Sequence, residues 1–383
     1  LLSGKPREPL TLMRFSVVDT PGLCPDWKRP TQMTDFDVQL NTGTIPVQSQ
    51  HQFDVAALQK FMQENVAGFS GSLTVEEFAG GQSNPTYLLQ AGGKKYVLRK
   101  KPAGELLKSA HAVDREFKVL SALQNTNVPS AKVYAMCDDE GLIGTIFYIM
   151  EYLDGRVIWD ANIGPWAPEV RAAFFDSAND AVARLHMVDF EAVGLSDYGK
   201  HTDYIGRQLK RWCGQYEYTK TIDNPYMDNL IEYLPKNVPV DETCSIVHGD
   251  LQIANMMMHK ERNEVVGILD WELSTLGSPL SDFAYLCRPY RDVLRGMDLK
   301  AMGIPSEQEY VETYCERTGR SGIDNWDYYL AFNMFRLAAI LQGIAKRVQD
   351  GTAANVQAEA AGEGAFDMAK VAWAQIDKSV VLD

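Results

Sequence analysis

Long apolar runs are missing from this sequence. The uncharged apolar stretches are short, such as Thr145–Met150, against the ~18 consecutive apolar residues that a membrane-spanning helix requires. Leu1–Asp37 lacks a basic start followed by an apolar core, so no secretory signal is expected. Cysteine is scarce. The six, Cys24, Cys137, Cys213, Cys244, Cys287 and Cys315, include no C-x-x-C pair, which argues against a disulfide framework or a thiolate zinc site and favours a reducing cytoplasm. Runs of basic residues are absent as well, so neither nucleic acid nor a membrane surface is an expected partner. The net charge is −14, and residues 151–383 carry 22 basic and 36 acidic residues, against ten and ten in 47–150 and five and five in 1–46. An acidic C-terminal part favours solubility and would attract a cationic substrate.

The chain divides by texture. Residues 1–46 form an N-terminal extension expected to be poorly ordered, because Pro6, Pro9, Pro21, Pro25 and Pro30 interrupt any period. Residues 47–150 read as a β-rich lobe. A helix over Asp54–Ala67 has Asp54 as cap and Val55, Leu58, Phe61, Met62 and Val66 on one face. Strands are expected over Leu73–Phe78, Thr86–Gln90 and Lys95–Lys100, with turns at Gly80-Gly81 and Gly92-Gly93. A helix over His111–Leu123 precedes strands at Val133–Cys137 and Ile143–Glu151. Residues 151–383 read as a helical lobe, with helices over Pro168–His186, Ile205–Tyr218, Asn224–Tyr233, Ser306–Thr318, Trp326–Gln349 and Val356–Ser379. A strand at Ser245–Val247 leads to a small hairpin, Met256–His259 and Val265–Leu269. A β-rich lobe followed by a helical one is an α+β arrangement.

The chemistry concentrates in Ile246-Val247-His248-Gly249-Asp250-Leu251-Gln252-Ile253-Ala254-Asn255 and, fifteen residues on, Asp270-Trp271-Glu272. Phosphoryl transfer needs a carboxylate at the attacking hydroxyl and oxygen ligands for magnesium on the β- and γ-phosphates. Asp250, on a loop leaving a buried strand, suits the first role. Asn255 and Asp270, brought back by the hairpin, supply amide and carboxylate oxygens that suit Mg²⁺.

These elements resemble the H-x-D-x-x-x-x-N and D-F-G elements of protein kinases. In the His-Gly-Asp and Asp-Trp-Glu form they are similar to the aminoglycoside phosphotransferase and choline-kinase-like family of small-molecule kinases. The resemblance, over roughly residues 50–350, implies a two-lobed protein-kinase-like fold, ATP and Mg²⁺ as cofactors, and a small-molecule acceptor. It implies that Gly80, Gly81, Gln82, Ser83 and Asn84 cover the phosphates through free backbone N–H groups, although they depart from G-x-G-x-x-G. Val97 would roof the adenine and Arg99, in the place of the usual lysine, would touch the α- and β-phosphates; strand alternation puts both on one face. Glu116 would hold Arg99, and the backbone of Glu151 and Leu153 would read the adenine edge. Lys100 and Lys101 read as a solvated face, His186 as a packed helix-end histidine, and Trp271 as packing beside the metal site. Asp282 would support the catalytic loop. Its closeness to Asp270 leaves no room for a peptide-docking segment.

A narrower likeness rests on YVLRKKP at Tyr96–Pro102, LDWELSTLGS at Leu269–Ser278, the following Pro279–Tyr285, and FRLAAILQGIAKR at Phe335–Arg347. These resemble the kinase-like domain found fused to, or beside, acyl-CoA dehydrogenases, which implies a hydroxyacyl-CoA or hydroxy acid as acceptor and a dehydrogenase as a separate partner chain. Arg288 and Arg336 are the expected anion readers, and their alternative is pairing with internal acids. An aminoglycoside or amino-alcohol kinase, and a nucleotide-binding pseudokinase scaffold, are the other readings.

Overall fold

Alternation along the strands decides which side chains of the first half are covered. The computed structural model describes residues 43–78, 84–102, 113–158, 166–240, 243–351 and 360–382. They fall into two compact units, the first running to Phe117 and resuming over Val133–Tyr152, the second comprising Lys118–Lys132 and Leu153 onward.

The first unit holds β1 (Thr44–Ile45), β2 (Thr74–Phe78), β3 (Thr86–Ala91), β4 (Lys94–Lys100), β5 (Val133–Cys137) and β6 (Phe147–Glu151), in the order β1-β2-β3-β4-β6-β5. Neighbours are antiparallel throughout. Gly92 (φ 57°) and Gly93 (φ 75°) close the β3–β4 hairpin, the two positive φ values that a two-residue turn of right-handed twist demands. Tyr87, Leu98 and Ile149 are cross-strand partners and form one covered face with Leu89, Tyr96 and Phe147. Leu58 and Met62 close that face from the helix Val55–Asn65. Asp54 caps this helix, accepting from the N–H groups of Ala56 and Ala57.

Lys100 corrects the expectation of a solvated face. Two residues beyond Leu98, it shares the covered side, is 6% exposed, and sets Nζ 5.0 Å from the Phe53 ring and 5.3 Å from that of Tyr87. Burial lowers its pKa, and the charge of Glu77 opposes the shift. Glu77, also buried, accepts from Gln48 N (3.0 Å), Gln48 Nε2 (3.0 Å) and His51 Nδ1 (2.6 Å). Thr44 and Ile45, within the 1–46 stretch expected to be poorly ordered, pair with Phe78 and Glu77; residues 1–42 lie outside the described residues. The expected strand start at Ile143 is a helical turn, Glu140–Ile143, capped by Asp139.

In the second unit, β7 (Gly155–Val157), β9 (Met256–His259) and β10 (Val265–Ile268) form one antiparallel sheet, and β8 (Ser245–Val247) pairs with β11 (Thr275–Gly277) in another. The helices are Pro168–His186, Tyr204–Thr219, Pro225–Tyr233, Pro279–Cys287, Glu307–Thr318, Trp326–Gln349 and Ala360–Ile376, with shorter turns between. Ser306 and Glu309 form a capping box on the fifth of these. Every residue of Pro279–Cys287 is buried, and so is the stretch from Tyr328 to Gly343. Among the described residues no helix is long and apolar enough to cross a membrane.

Candidate active site

Buried strand β8 delivers the chain to His248-Gly249-Asp250. Gly249 has φ 83°, and a Cβ there would lie 2.6 Å from the Leu273 carbonyl oxygen, so both conformation and space require glycine. Asp282, in the first turn of Pro279–Cys287, fixes this bend. Its Oδ2 accepts from His248 N (2.7 Å) and its Oδ1 from Gly249 N (2.9 Å). Burial alone would raise the Asp282 carboxyl, but the hydrogen bond and charge of His186, with the His248 side chain and backbone, hold it below the ordinary carboxylate range. His248 Nε2 bonds the Leu269 carbonyl (2.7 Å) and its Nδ1 receives Asp250 N–H (3.4 Å), so one tautomer, protonated on Nε2, serves both. Gly249→Ala is expected to destabilise the protein by about 1–3 kcal/mol through backbone strain. Denaturant unfolding checks this, and an unchanged midpoint would contradict it.

Asn255 closes the loop over Asp250. Its Nδ2 donates to Asp250 O (2.8 Å) and Oδ2 (3.0 Å), and Gln252 Nε2 adds a bond to Oδ2 (3.1 Å). With its amide nitrogen so engaged, Asn255 turns Oδ1 elsewhere, and that oxygen accepts no hydrogen bond among the described residues. The Asn255 carbonyl receives Leu269 N–H (2.8 Å), which brings the end of β10 to the loop. Asp270 follows in a left-handed conformation (φ 63°, ψ 61°). Removal from bulk water pushes the half-buried Asp250 carboxyl up and the Asp270 charge adds to this, while Arg336 and His248 act the other way. The Asp270 carboxylate and the Asn255 amide oxygen are hard donors of the kind that suits a divalent cation such as Mg²⁺.

The two arginines separate. Arg288 is buried and ion-paired to Asp292, one helical turn on. This corrects its assignment as an anion reader: the internal acid holds the charge. Arg336, 7% exposed, donates from Nη2 to the Gly249 carbonyl (3.0 Å) and stacks 4.4 Å from the Tyr285 ring centroid. Among the described residues it forms no ion pair with a carboxylate.

In the first unit, Arg99 Nε meets Glu116 Oε2 at 2.8 Å. Glu116, 1% exposed, also accepts from Tyr148 Oη (2.9 Å) and Asn84 Nδ2 (3.2 Å). Asn84 is therefore a buried partner of Glu116. Val97 lies opposite Leu88 and Met150, on the same sheet face as Arg99 and away from the Leu58 core. Glu151 ends β6 opposite Tyr96, and Leu153 packs at Gly267 in the second unit. Gly80, Gly81, Gln82 and Ser83 lie outside the described residues.

Two supports were not readable in the sequence. His186 is packed, as expected, but its Nε2 reaches Asp282 Oδ2 (3.3 Å) and its Nδ1 the Tyr314 hydroxyl (2.8 Å). Tyr198 Oη bonds Ser274 Oγ (2.7 Å), which donates to the Trp271 carbonyl (2.5 Å). Trp271 itself lies edge-on to His248, 5.0 Å between centroids.

Known proteins resemble this chain in sequence and fold. Residues 74–329 match the model of the phosphotransferase enzyme family, APH. Acyl-CoA dehydrogenase family member 10 of Mus musculus is 41% identical over 340 residues, which cover 86% of this chain and 32% of that protein. The chain thus spans about a third of that relative's length. A Ralstonia eutropha jmp134 crystal structure classed with the aminoglycoside phosphotransferases is 45% identical, covers 86% of this chain and 100% of its own, and superimposes with a TM-score of 0.80. Choline kinase from Cryptosporidium parvum Iowa II, 13% identical over 86% of this chain and 98% of its own, shares the fold with a TM-score of 0.61. With the segments Tyr96–Pro102, His248–Asn255 and Asp270–Glu272 inside the matched region, this chain belongs to the phosphotransferase enzyme family and has the α+β, protein-kinase-like fold of its small-molecule kinases.

Proposed function

We propose that this protein transfers the γ-phosphate of ATP, with Mg²⁺, to a hydroxyl of a small hydroxyacyl-CoA or hydroxy acid. The observation that carries the reading is the loop itself. Asp250 is oriented by Asn255 and Gln252 and carries a raised carboxyl, and beside it stands Arg336, a buried cation hydrogen-bonded to the Gly249 carbonyl. Asp250 would align the acceptor hydroxyl and take its proton. Asn255 Oδ1 and Asp270 would hold the metal. Bound there, Mg²⁺ would neutralise charge developing on the transferred phosphoryl group. Arg99, fixed by Glu116, would steady the α- and β-phosphates, with Val97 against the adenine, Gly80–Ser83 over the phosphates, and the backbone of Glu151 and Leu153 at the adenine edge.

Arg336 supports an anionic acceptor. Its buried guanidinium feels the Asp250 charge and bonds Tyr285 but forms no ion pair with a carboxylate among the described residues, and its fork matches a carboxylate or phosphate of the substrate. A phosphorylated acyl-CoA product would suit a separate acyl-CoA dehydrogenase, the enzyme for which the longer mouse relative is named.

The test is ADP release from MgATP on titration with a hydroxyacyl-CoA, a free hydroxy acid, choline and an aminoglycoside. Turnover is expected with the first two. Arg336→Ala is expected to raise KM for them by about 10–100-fold, the loss of a charge-assisted contact of ~1.5–3 kcal/mol. Turnover of the cationic acceptors alone would replace this reading with that of an amino-alcohol or aminoglycoside kinase, which the 36 acidic against 22 basic residues of 151–383 favour.

A further inference from the structure

One turn beyond Asp282 in the helix Pro279–Cys287 stands Tyr285, 8% exposed. Residues three apart share a helix face, and Asp282 accepts from the N–H groups of His248 and Gly249 at 2.7 and 2.9 Å. Tyr285 is therefore turned toward the stretch of loop that leads into Asp250. Arg336 reaches the same place from the helix Trp326–Gln349. It donates to the Gly249 carbonyl (3.0 Å) and lies over the Tyr285 ring, 4.4 Å from its centroid. Gly249 is thus held at its N–H by Asp282 and at its carbonyl by Arg336, and Tyr285 touches the second holder from the helix of the first.

We infer that Tyr285 is a specificity-determining residue of the acceptor site, its hydroxyl donating a hydrogen bond to a carbonyl or carboxylate oxygen that lies close to the phosphorylated hydroxyl of the acceptor. The inference rests on the reading of that acceptor as a hydroxyacyl-CoA or hydroxy acid.

The count of donors and acceptors carries it. A guanidinium only donates, so in the bond between Arg336 and Tyr285 the phenol oxygen accepts. The phenol proton is left over, and among the described residues it has no acceptor. Burial raises the pKa of Tyr285 and the Asp250 charge adds to the shift, against Arg336 and Arg288, so the hydroxyl keeps its proton at neutral pH. A buried donor without an acceptor is costly, and an oxygen of a bound molecule removes that cost. Because Tyr285 and Arg336 meet beside the Gly249 carbonyl, the oxygen they read and the hydroxyl at Asp250 are near neighbours in the acceptor.

The wider surroundings favour an oxygen over an ammonium group. Tyr204 opens the helix Tyr204–Thr219, and its ring packs on Gly277 of β11, where a Cβ would lie 2.6 Å away. Burial pushes Tyr204 up to about 12, while the charges of Arg336, Arg207 and Arg211 act the other way. Arg336 and Arg211 also oppose one another. A negatively polarised oxygen relieves this convergence of guanidiniums, and an ammonium adds to it. Buried charges are screened least, so inside the site these cations outweigh the acidic balance of residues 151–383.

The test uses the full chain as wild type and as Tyr285→Phe, which keeps the ring beneath Arg336 and removes only the hydroxyl. ADP release from MgATP is followed with the hydroxybutyryl-CoA isomers, the free hydroxybutyrates and choline, and melting temperature is recorded alongside. Tyr285→Phe is expected to raise KM for the hydroxybutyryl acceptors by about 10-fold, the scale of one hydrogen bond, with KM for MgATP within twofold of wild type. A rise confined to the thioesters assigns the bond to a carbonyl oxygen, and one confined to the free acids to a carboxylate. If the wild type turns these acceptors over and Tyr285→Phe keeps their normal KM, the role of Tyr285 is wrong and the reading of the acceptor stands. An equal rise for MgATP, or a loss of activity that tracks the folded fraction, also overturns it by reducing the hydroxyl to packing. Should the wild type turn over no hydroxybutyryl acceptor, the reading of the acceptor falls and the inference with it.

Discussion

Exchange of Asp250 for asparagine is expected to lower kcat by about 10²–10⁴, the usual range for a general base, and to leave the melting temperature at pH 7 unchanged or raised. The first half follows from the lost proton acceptor, while the amide keeps an oxygen for the bonds from Gln252 and Asn255. The second follows from the sign of the shift. Burial, with Asp270, raises the Asp250 carboxyl in the fold. A group raised on folding contributes stability below its unfolded value, and that contribution is lost as pH rises through the folded value. At neutral pH the ionised side chain therefore strains the fold, and an uncharged isostere relieves it. The same shift sets the acid limb of activity: kcat/KM of the wild type should fall as pH drops through the folded value, above the ordinary carboxylate range. Initial rates across pH and a melt at pH 7 measure both. A variant with near-normal kcat and an intact fold would remove Asp250 from the reaction.

Asp270→Asn is expected to weaken MgATP binding by at least the ~10–100-fold that loss of an outer-shell partner typically costs a metal site, and to leave binding of metal-free ATP nearly unchanged. The substitution suits this position. Asp270 sits at φ 63°, a region that asparagine tolerates better than most residues, so the change removes anionic charge without forcing the backbone to move. Calorimetry with and without Mg²⁺ separates the effects. Equal affinities of variant and wild type in both conditions would exclude Asp270 as a metal ligand.

How much of this was legible beforehand depended on the range of the interactions. The helices Pro168–His186 and Trp326–Gln349 were readable to the residue because their apolar periods are local, with Pro168 marking the first turn of one of them. β7 and β11 were not, since three residues are too few to display an alternation. The Glu140–Ile143 turn lay hidden in an apolar run, and its capping Asp139 is the signal that could have revealed it. Lys100 looked like surface because lysine usually is, yet period two from Tyr96 and Leu98 already assigned it inward. The Asp250, Asn255 and Asp270 set was visible because one loop and one hairpin bring it together. The His186–Asp282 contact joins residues 96 positions apart and has no sequence signature. Asp292, four residues after Arg288, was visible as its partner, but the sequence alone could not choose between that acid and a ligand.

The docking of Gln48 and His51 on Glu77, and of Lys100 between Phe53 and Tyr87, has a mechanical consequence. Because β1 is an edge strand held by two residue pairs, a pull applied ahead of Thr44 would be borne by a short zipper and then by a buried acid and a buried amine. Peeling the 44–53 segment away would strip Glu77 of its three donors and leave Lys100 without the Phe53 ring and the His51 carbonyl. The sheet that carries Arg99 would then hold unlike charges in poorly hydrated surroundings, Lys100 on the strand of Arg99 itself and Glu77 on β2, two strands away. Any neighbour tethered at this end, in this protein or in a longer relative, would therefore have a lever on the first unit through its outermost strand.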